Sequence, residues 1–537
     1  MPVGCPRAFK AGDMYRASAT QFRNLSLFGS VSKALLLGAF ATFATFDVSV
    51  LCKGIFIPQD EGILLVYPDL ILRGYIPYKD FAALYPPAEF YLLAGVFRVF
   101  GESVFIERFL GALYSFSVVI AIFSIGSRVS RTTGALAATT ALAYTSLFGS
   151  FAARTHLGAY ACTLFALALA SRDCSSSVRL ARRSLLFAGV AAASALCFKQ
   201  DLGVVAIVAT LVSIDPRNPR LLRPFLAGVA ILVCAVITFA IIVGPGWVFD
   251  GLISDAIRSA PGRFLPLHLS WDLVVIAVCV SAQCVIAVRV RGLRVSHSPA
   301  LLARGMAMLS LAYSLSMLHR TEPGDIGSYG FLVVSLTIVS FSIFLLHSDI
   351  GPEQRSAALV SLFLAGLLPI GILYFSGASE SLAIQHWVFS EGRRVPVDDY
   401  GHSKSSDLQD LLDAINRMSR SGDRVFVGPR DLRFANANDT FIYYLLPRLQ
   451  PVSRYLEMNP GCANRLGSGL TEEISRADWL ILTTRYDHWR EPNASSAPGP
   501  MQPNEVVRKH FCLRSKHGDW LLLQRCVLGS DGSTHGS

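Results

Sequence analysis

Long apolar stretches recur along the first two thirds of the chain and alternate with short polar connections. The stretches are roughly 16 to 24 residues long, the length of helix that crosses about 30 Å of hydrocarbon. About eleven membrane spans are therefore predicted, and they cover residues 31–52, 105–127, 132–150, 157–171, 184–199, 202–214, 222–244, 272–288, 299–318, 327–347 and 356–375. The shorter, more interrupted segment 86–100 predicts a helix that lies in the membrane interface.

The last part of the chain, residues 376–530, has a different pattern. Segments with a helical period alternate with short apolar segments that are typical of buried strands. The helical segments are 407–418 and 503–511, and the strand segments are 423–428, 478–484 and 519–526. This alternation predicts a small α/β domain, followed by a disordered tail at 531–537. A cap without chemical function is the alternative interpretation of this domain.

The composition agrees with a polytopic α-helical membrane protein. Hydrophobic residues make up 52% of the 537 residues, and charged residues only 16%, whereas a soluble protein carries about a quarter charged residues. The net charge of +10 does not indicate a nucleic-acid partner, because membrane proteins concentrate Lys and Arg in cytoplasmic loops. The expected surroundings are a lipid bilayer.

The basic residues also predict the orientation of the transmembrane domain, residues 31–375. Beyond the N-terminal tail (1–30) and the loop after the first span, thirteen basic residues fall in one set of alternate loops: Arg128, Arg131, Arg172, Arg179, Arg182, Arg183, Arg217, Arg220, Arg223, Arg289, Arg291, Arg294 and Arg355. Five fall in the other set: Arg154, Lys199, Arg258, Arg263 and Arg320. The positive-inside rule makes the first set cytoplasmic. The N-terminus is then cytoplasmic, and the C-terminal domain lies outside the cell membrane.

An acidic pair, Asp60-Glu61, follows the first predicted span and lies on the outer side. Carboxylates are costly near lipid, so a pair at the mouth of a span indicates a site that faces water or substrate. Either side chain could take a proton from a hydroxyl group as a general base. The alternative is that both residues only stabilise the N-terminus of a helix that starts at Gly62.

The residues after the pair carry a family resemblance. They read YPDLILRGYIPYKDF, followed by a YPP-aromatic segment that ends in FG at Gly101. Over residues 58–111 this pattern resembles the GT-C class of membrane glycosyltransferases, and within it the dolichyl-phosphate-mannose mannosyltransferase, aminoarabinose transferase and Rgt-like group. CFKQDLGV (197–204) is similar to a Lys-Gln-x-x-Gly segment of these proteins. Residues 319–330 resemble their Arg-x-Asp-x-x-His segment, but Asp325 is shifted and no His follows closely.

The resemblance implies a GT-C-like fold of about 11 transmembrane helices with a small extracytoplasmic α/β C-terminal domain. It also implies a catalytic first outer loop, residues 53–104. The donor would be a hexose or pentose on a polyprenyl phosphate, and the acceptor a glycan, a lipid or a protein. Asp60 is the expected base, with Glu61 as its partner or as a substrate clamp. A direct displacement would invert the anomeric configuration.

Cations are expected to stabilise the departing phosphate. Lys199 is the first candidate, together with Gln200, and Lys79, Arg154 and Arg320 follow. The alternative for each cation is a structural one, such as a long side chain that reaches for the membrane interface.

Neighbouring charges and metal ligands complete the set of candidates. Glu107 and Arg108 are expected to pair with each other at the start of a span, and His156 is a further candidate near an outer span end. No aligned His and Asp ligands for a metal are evident. The cofactor therefore stays open, and a divalent metal is not excluded.

Two other classes of protein share parts of this pattern. A polytopic transporter or lipid-linked sugar flippase would show internal repeats and mid-span ionisable residues more often. The polar residues of this chain gather on one side of the membrane instead, which favours an enzyme of the outer face. A sugar-binding or assembly protein with a decayed active site is the third interpretation.

Overall fold

The computed structural model describes residues 59–148, 152–172, 177–215, 219–267, 269, 271–292, 297–318, 325–348, 350–375, 386–397 and 404–526. The N-terminal tail, the first predicted span and the tail at 531–537 lie outside these residues, and so does Arg320.

Helices make up the first part of the described chain. They are α1 (Asp60–Leu72), α2 (Ala88–Phe100), α3 (Val104–Gly126), α4 (Arg131–Phe148), α5 (Thr155–Ala170), α6 (Val178–Phe198), α7 (Gln200–Val212), α8 (Pro219–Val243), α9 (Pro245–Phe249), α10 (Asp255–Arg263), α11 (Trp271–Gly292), α12 (His297–Met317), α13 (Asp325–Leu346) and α14 (Pro352–Phe375). A π-helical turn, Asp250–Ser254, joins α9 to α10. Each predicted span within the described residues coincides with one of these helices.

Four helical segments of the described chain are long and apolar enough to cross a membrane: Val104–Gly126, Val178–Phe198, Pro219–Val243 and Leu273–Val290. On α8, Ile231, Ile237, Ile241 and Ile242 are all exposed. An apolar surface of this extent is what a lipid-facing helix presents, because contiguous apolar patches are rarely left to water. The chain is thus a polytopic membrane protein, as the sequence predicts.

The helix at the predicted span 202–214 is short for a crossing. This helix, α7, has 13 residues, or about 20 Å at 1.5 Å per residue, against about 30 Å of hydrocarbon, so the crossing stays a prediction. The chain turns between α6 and α7 at Lys199, whose backbone is extended (φ −151°, ψ 119°). At Gly203, a side-chain Cβ would collide with the backbone of Leu196. The two helices therefore fold back on each other in close contact.

The C-terminal part is an α/β domain. Its sheet has the strand order β4-β3-β5-β7-β6, in which β3 is parallel to β4 and β5 whereas β7 is antiparallel to β5 and β6. The elements are β1 (His386–Ser390), β2 (Arg393–Val397), α15 (Ser405–Met418), β3 (Arg424–Pro429), α16 (Phe441–Leu445), β4 (Gln450–Pro451), α17 (Leu470–Ser475), β5 (Trp479–Thr483), α18 (Gln502–His510), β6 (Phe511–His517) and β7 (Trp520–Arg525). All five predicted elements are present; the β1–β2 hairpin, β4 and β6 are additional.

One hydrophobic core connects the membrane helices, α1 and much of this domain. Every residue of α1 from Glu61 to Leu70 is buried. At Gly62, a side-chain Cβ would lie 2.8 Å from the backbone nitrogen of Phe441 in α16. Glycine therefore lets α1 lie directly against the C-terminal domain, and α1 is held between this domain and the membrane helices.

Candidate functional site

The site is built around the first turn of α1, where the sequence places its acidic pair. Asp60 is the first residue of the helix, and Glu61 is the second. Two acidic residues suit this position, because the N-terminal end of a helix carries partial positive charge. The two carboxylates nevertheless have different surroundings. The side chain of Asp60 is 52% exposed, whereas that of Glu61 is 1% exposed.

Glu61 forms a buried ion pair with Arg108 of α3. The Arg108 Nε donates to Glu61 Oε1 at 3.1 Å, and Nη2 donates to Oε2 at 2.9 Å. This two-point geometry matches the planar guanidinium to the carboxylate and fixes the orientation of both side chains. The expectation that Arg108 takes Glu107 as its ion-pair partner is wrong. Neighbouring side chains on a helix point in different directions, so they do not face each other.

Glu107 has a different partner in the same cluster. Its Oε1 accepts a hydrogen bond from the backbone N–H of Ala153 at 2.6 Å, and its Oε2 is buried with no hydrogen-bond partner among the described residues. Glu89 of α2 is similar, because Tyr114 donates to its Oε2 at 3.0 Å while Oε1 has no partner in the described chain. Buried carboxylate oxygens without a partner are unusual in folded proteins. No sequence pattern singles out Glu89.

Asp60 faces a basic group, the guanidinium of Arg154. The Arg154 Nη2 lies 3.5 Å from Asp60 Oδ2, and the Arg154 side chain is 27% exposed. The Arg154 Nε is buried and has no hydrogen-bond partner among the described residues. Arg154 immediately precedes α5, so free backbone amides at the helix start add to the positive potential. The arrangement combines an accessible carboxylate with a cation that has donor capacity left for an anion.

Lys199 is a second cation close to the start of α5. The positive charges of Arg154 and Lys199 both act on His156, a half-buried residue at the start of that helix. Lys199 also faces Asp201, but the Nζ–Oδ2 distance of 3.8 Å makes this a loose contact at a half-buried position. Lys199 and Arg154, two of the predicted phosphate ligands, are therefore both within electrostatic reach of one histidine.

Gln200, the predicted partner of Lys199, holds two chain segments together. Its Nε2 lies 3.4 Å from the carbonyl oxygens of Leu84 and Leu252, and its Oε1 is buried with no partner among the described residues. Leu252 belongs to the π-helical turn, and such turns often occur at functional sites. Gln200 thus connects the loop before α2 to the π-helical turn before α10.

Lys79 is exposed in the turn before α2, next to Tyr78, whose backbone has φ 69°. The structure shows no ion pair between Lys79 and the described carboxylates, and it does not bring Lys79 into contact with Asp60. Arg320 lies outside the described residues. Both stay predictions as phosphate ligands.

The C-terminal domain also reaches the acidic pair, which the sequence does not predict. Gln59, just before α1, donates from Nε2 to the backbone carbonyl of Glu457 at 3.5 Å. Glu457 is 8% exposed. Burial raises the pKa of its carboxyl group, and the negative charge of Asp60 raises it further, whereas Asn459 and Arg263 oppose the shift. A second carboxyl group therefore lies within electrostatic reach of Asp60.

A second contact between α1 and the domain lies at the other end of the helix. Arg393 of β2 donates to Asp69 Oδ1 at 2.7 Å, and its guanidinium stacks over the Tyr444 ring at 4.5 Å. Arg73 donates to the Leu449 carbonyl at 3.1 Å and to Asp69 Oδ2 at 3.3 Å. Both ends of α1 are thus anchored to the C-terminal domain.

The possible metal ligands of the described chain are scattered. Within these residues, no group of three or more His, Cys, Asp and Glu side chains is placed to hold a metal ion.

Part of the chain is similar to a known protein family. The family model for dolichyl-phosphate-mannose-protein mannosyltransferases matches residues 85–243, a range that runs from just before α2 to the end of α8. No curated protein sequence is significantly similar to the chain.

Two solved structures resemble the chain over nearly its whole length. One is ArnT from Cupriavidus metallidurans bound to undecaprenyl phosphate, with a TM-score of 0.57 and 13% identity over 94% of this chain and 100% of that chain. The other is the same protein in the apo state, with a TM-score of 0.49 and 13% identity over 92% and 98% of the two chains. The first of these likenesses shows the fold. The predicted resemblance to the GT-C class is confirmed.

Proposed function

We propose that this chain is a glycosyltransferase that moves a hexose or pentose from a polyprenyl-phosphate donor to an acceptor at the extracytoplasmic face of the cell membrane. The observation that carries the proposal is the pairing of a half-exposed Asp60 with Arg154 at 3.5 Å. The carboxylate suits proton removal, and the guanidinium suits a phosphate. The family match and the ArnT-like fold support this class of reaction.

The proposed reaction is a single displacement. Asp60 takes the proton of the acceptor hydroxyl, and the acceptor oxygen forms a bond to the anomeric carbon of the sugar. The bond from that carbon to the phosphate oxygen breaks, and its electron pair leaves with the polyprenyl phosphate. Attack from the face opposite the leaving group inverts the anomeric configuration.

Positive charge is needed where the phosphate departs. Arg154 and Lys199 are the proposed groups. Both lie within electrostatic reach of His156, and the Arg154 Nε has no hydrogen-bond partner in the described chain, which supports this proposal. Lys79 and Arg320 remain further proposals. Glu61 is proposed as a positioning residue, since its ion pair with Arg108 fixes the first turn of α1 and thereby the direction of Asp60.

The outer location of the site has independent support. Cys512 of β6 and Cys526, the residue after β7, form a disulfide. Disulfides persist in oxidising compartments and are rare in the cytosol. This agrees with the basic loops, which predict that the C-terminal domain and Asp60 lie on the extracytoplasmic side.

The test is sugar transfer from a panel of radiolabelled polyprenyl-phosphate sugars, in membranes that carry equal amounts of the wild-type protein, Asp60→Asn or Asp410→Asn. Asp410 is exposed on α15, so its variant is a matched control. We expect transfer by the wild type and the control, and loss of transfer in Asp60→Asn. Equal transfer by all three proteins would remove Asp60 from the mechanism.

The alternative is a polytopic transporter or a flippase for lipid-linked sugars. It predicts no transfer with any donor of the panel but movement of labelled lipid across reconstituted vesicles. That pair of results would replace the proposed reaction.

A further inference from the structure

The loop around Glu457 is fixed between two elements of the membrane part. On one side, Gln59 bonds to the Glu457 carbonyl at 3.5 Å. On the other side, a side-chain Cβ at Gly262 of α10 would lie 2.9 Å from the Cβ and Cγ atoms of Pro460. The next residue after Glu457, Met458, is fully buried with φ 54°. A bulky residue in this conformation persists only where the surroundings enforce it.

The Glu457 side chain lacks a complete set of partners. Asn459 hydrogen bonds to the carboxyl group, but Oε2 is buried and has no hydrogen-bond partner among the described residues. An apolar residue would fill such a position at lower free energy, because a buried polar atom without a partner is destabilising. Glu457 therefore has a group to offer to a ligand.

We propose that the Glu457 carboxyl group and Asp60 together form a subsite that binds a neutral hydroxyl of the transferred sugar or of its acceptor. The inference rests on the proposed function and makes the C-terminal domain part of the active site. It also replaces the interpretation of this domain as a cap without chemical function.

The chemistry of the two carboxyl groups is complementary. Asp60 is half exposed and accepts hydrogen bonds as a carboxylate, whereas burial raises the pKa of Glu457 and keeps a proton on it over a wider range of pH. A protonated carboxyl group can donate as well as accept. A hydroxyl is both donor and acceptor, so the pair suits a polyhydroxylated ligand.

The charged and titratable groups that face Glu457 come from each neighbouring element. They are Asp60 and Tyr67 of α1 and Arg263 of α10. Tyr67 donates its own hydroxyl to the Ala82 carbonyl at 3.1 Å and is fully buried. The hydroxyl of Tyr67 is thus already used and does not compete with Glu457 for a ligand.

The experiment compares transfer by the wild type, Glu457→Ala, Glu457→Gln and Glu472→Gln as a function of pH. Glu472 is exposed on α17 and is the matched control. KM is measured separately for the donor and for the acceptor, and the substrate whose KM changes is the one that supplies the hydroxyl. Resistance to trypsin and the elution profile of the purified variants establish that they fold.

We expect Glu457→Ala to raise one KM by roughly tenfold, as for loss of one hydrogen bond to a neutral group. The kcat should change much less. Glu457→Gln retains an N–H donor, so its KM should stay near that of the wild type. In the wild type, KM should rise as the pH rises through the pKa of Glu457, because the ionised group can no longer donate. Glu457→Gln should lack that rise.

A purely structural Glu457 predicts another result. The folded variants would then keep the KM values and the pH profile of the wild type, and this would overturn the inference while leaving the proposed function intact. If the wild type itself transfers no sugar from any donor, the proposed function fails, and the inference fails with it. The two failures are thus told apart by the activity of the wild type.

Discussion

Arg108 and Glu61 join α3 to the first turn of α1 through two hydrogen bonds in a setting where neither side chain is more than 4% exposed. Asp60 is the neighbour of Glu61, so this ion pair holds the helix turn that carries the proposed base. The pair also explains why an arginine stands at the start of an apolar span: its charge is balanced within the protein.

Removing one member of the pair should be strongly destabilising. In Arg108→Met the Glu61 carboxylate stays buried without its cation, which costs about 3–5 kcal/mol. We expect a matching fall in the free energy of unfolding in detergent, and Arg98→Met, at an exposed position on α2, serves as control. The double variant Glu61→Met with Arg108→Met should regain most of the stability, because both charges are gone. If it does not, the ion pair is not the cause of the loss.

Gly62 provides a second test of how α1 is held. A methyl group there meets the Phe441 nitrogen at 2.8 Å, and forced overpacking costs about 1–3 kcal/mol. Gly62→Ala should therefore lower the melting temperature and reduce transfer, because it displaces Asp60. At Gly95 of α2, a Cβ would have no neighbour within 4 Å, so Gly95→Ala should be neutral or slightly stabilising. Equal behaviour of the two variants would contradict the close packing of α1 on α16.

Stability should depend on pH through Glu457. Burial raises the pKa of Glu457 in the folded protein, so the folded state binds its proton more tightly than the unfolded state does. The stabilisation that the bound proton gives the folded state is fully present below the unfolded pKa of about 4.3, and it is lost as the pH rises through the folded pKa of Glu457. Relative to the wild type, Glu457→Gln should therefore become progressively more stable as the pH rises. Parallel melting curves at every pH would show that Glu457 does not titrate in this way.

The Cys512–Cys526 disulfide predicts both the side of the membrane on which the C-terminal domain lies and part of its stability. Cys512 and Cys526 are separated by 14 positions, and closing a loop of that size stabilises by about 3 kcal/mol in the chain-entropy model. In whole cells, a membrane-impermeant maleimide should label these two cysteines only after reduction. Cys512→Ser with Cys526→Ser should melt at a lower temperature than the wild type. Labelling without a reductant would contradict both the bond and its effect.

The features that could be predicted from sequence are those with a local signal. The span helices and α15 follow from periodic apolar residues, and α15 buries Leu408, Leu411, Leu412 and Ile415 at the expected spacing. The acidic pair stands out because it lies beside a span. These patterns arise from neighbours in the chain and need no knowledge of the tertiary structure.

The remainder of the site depends on contacts between distant residues. Glu61 meets Arg108 across 47 positions, and Gln59 meets Glu457 across 398. No local periodicity carries such information, since each partner is an ordinary polar residue in its own segment. The same holds for β6, whose alternation is interrupted by a register shift between Leu513 and Ser515.

The shared core around α1 has a consequence for how the protein is made. Three contacts hold α1 against the C-terminal domain: Gly62 with Phe441, Asp69 with Arg393, and Arg73 with Leu449. The helix that bears the proposed base is therefore synthesised well before the residues that contact it. These contacts can form only after the C-terminal domain has folded. The proposed site is therefore incomplete until the whole chain has been made, and a chain cut short after α14 would lack the contacts that hold α1.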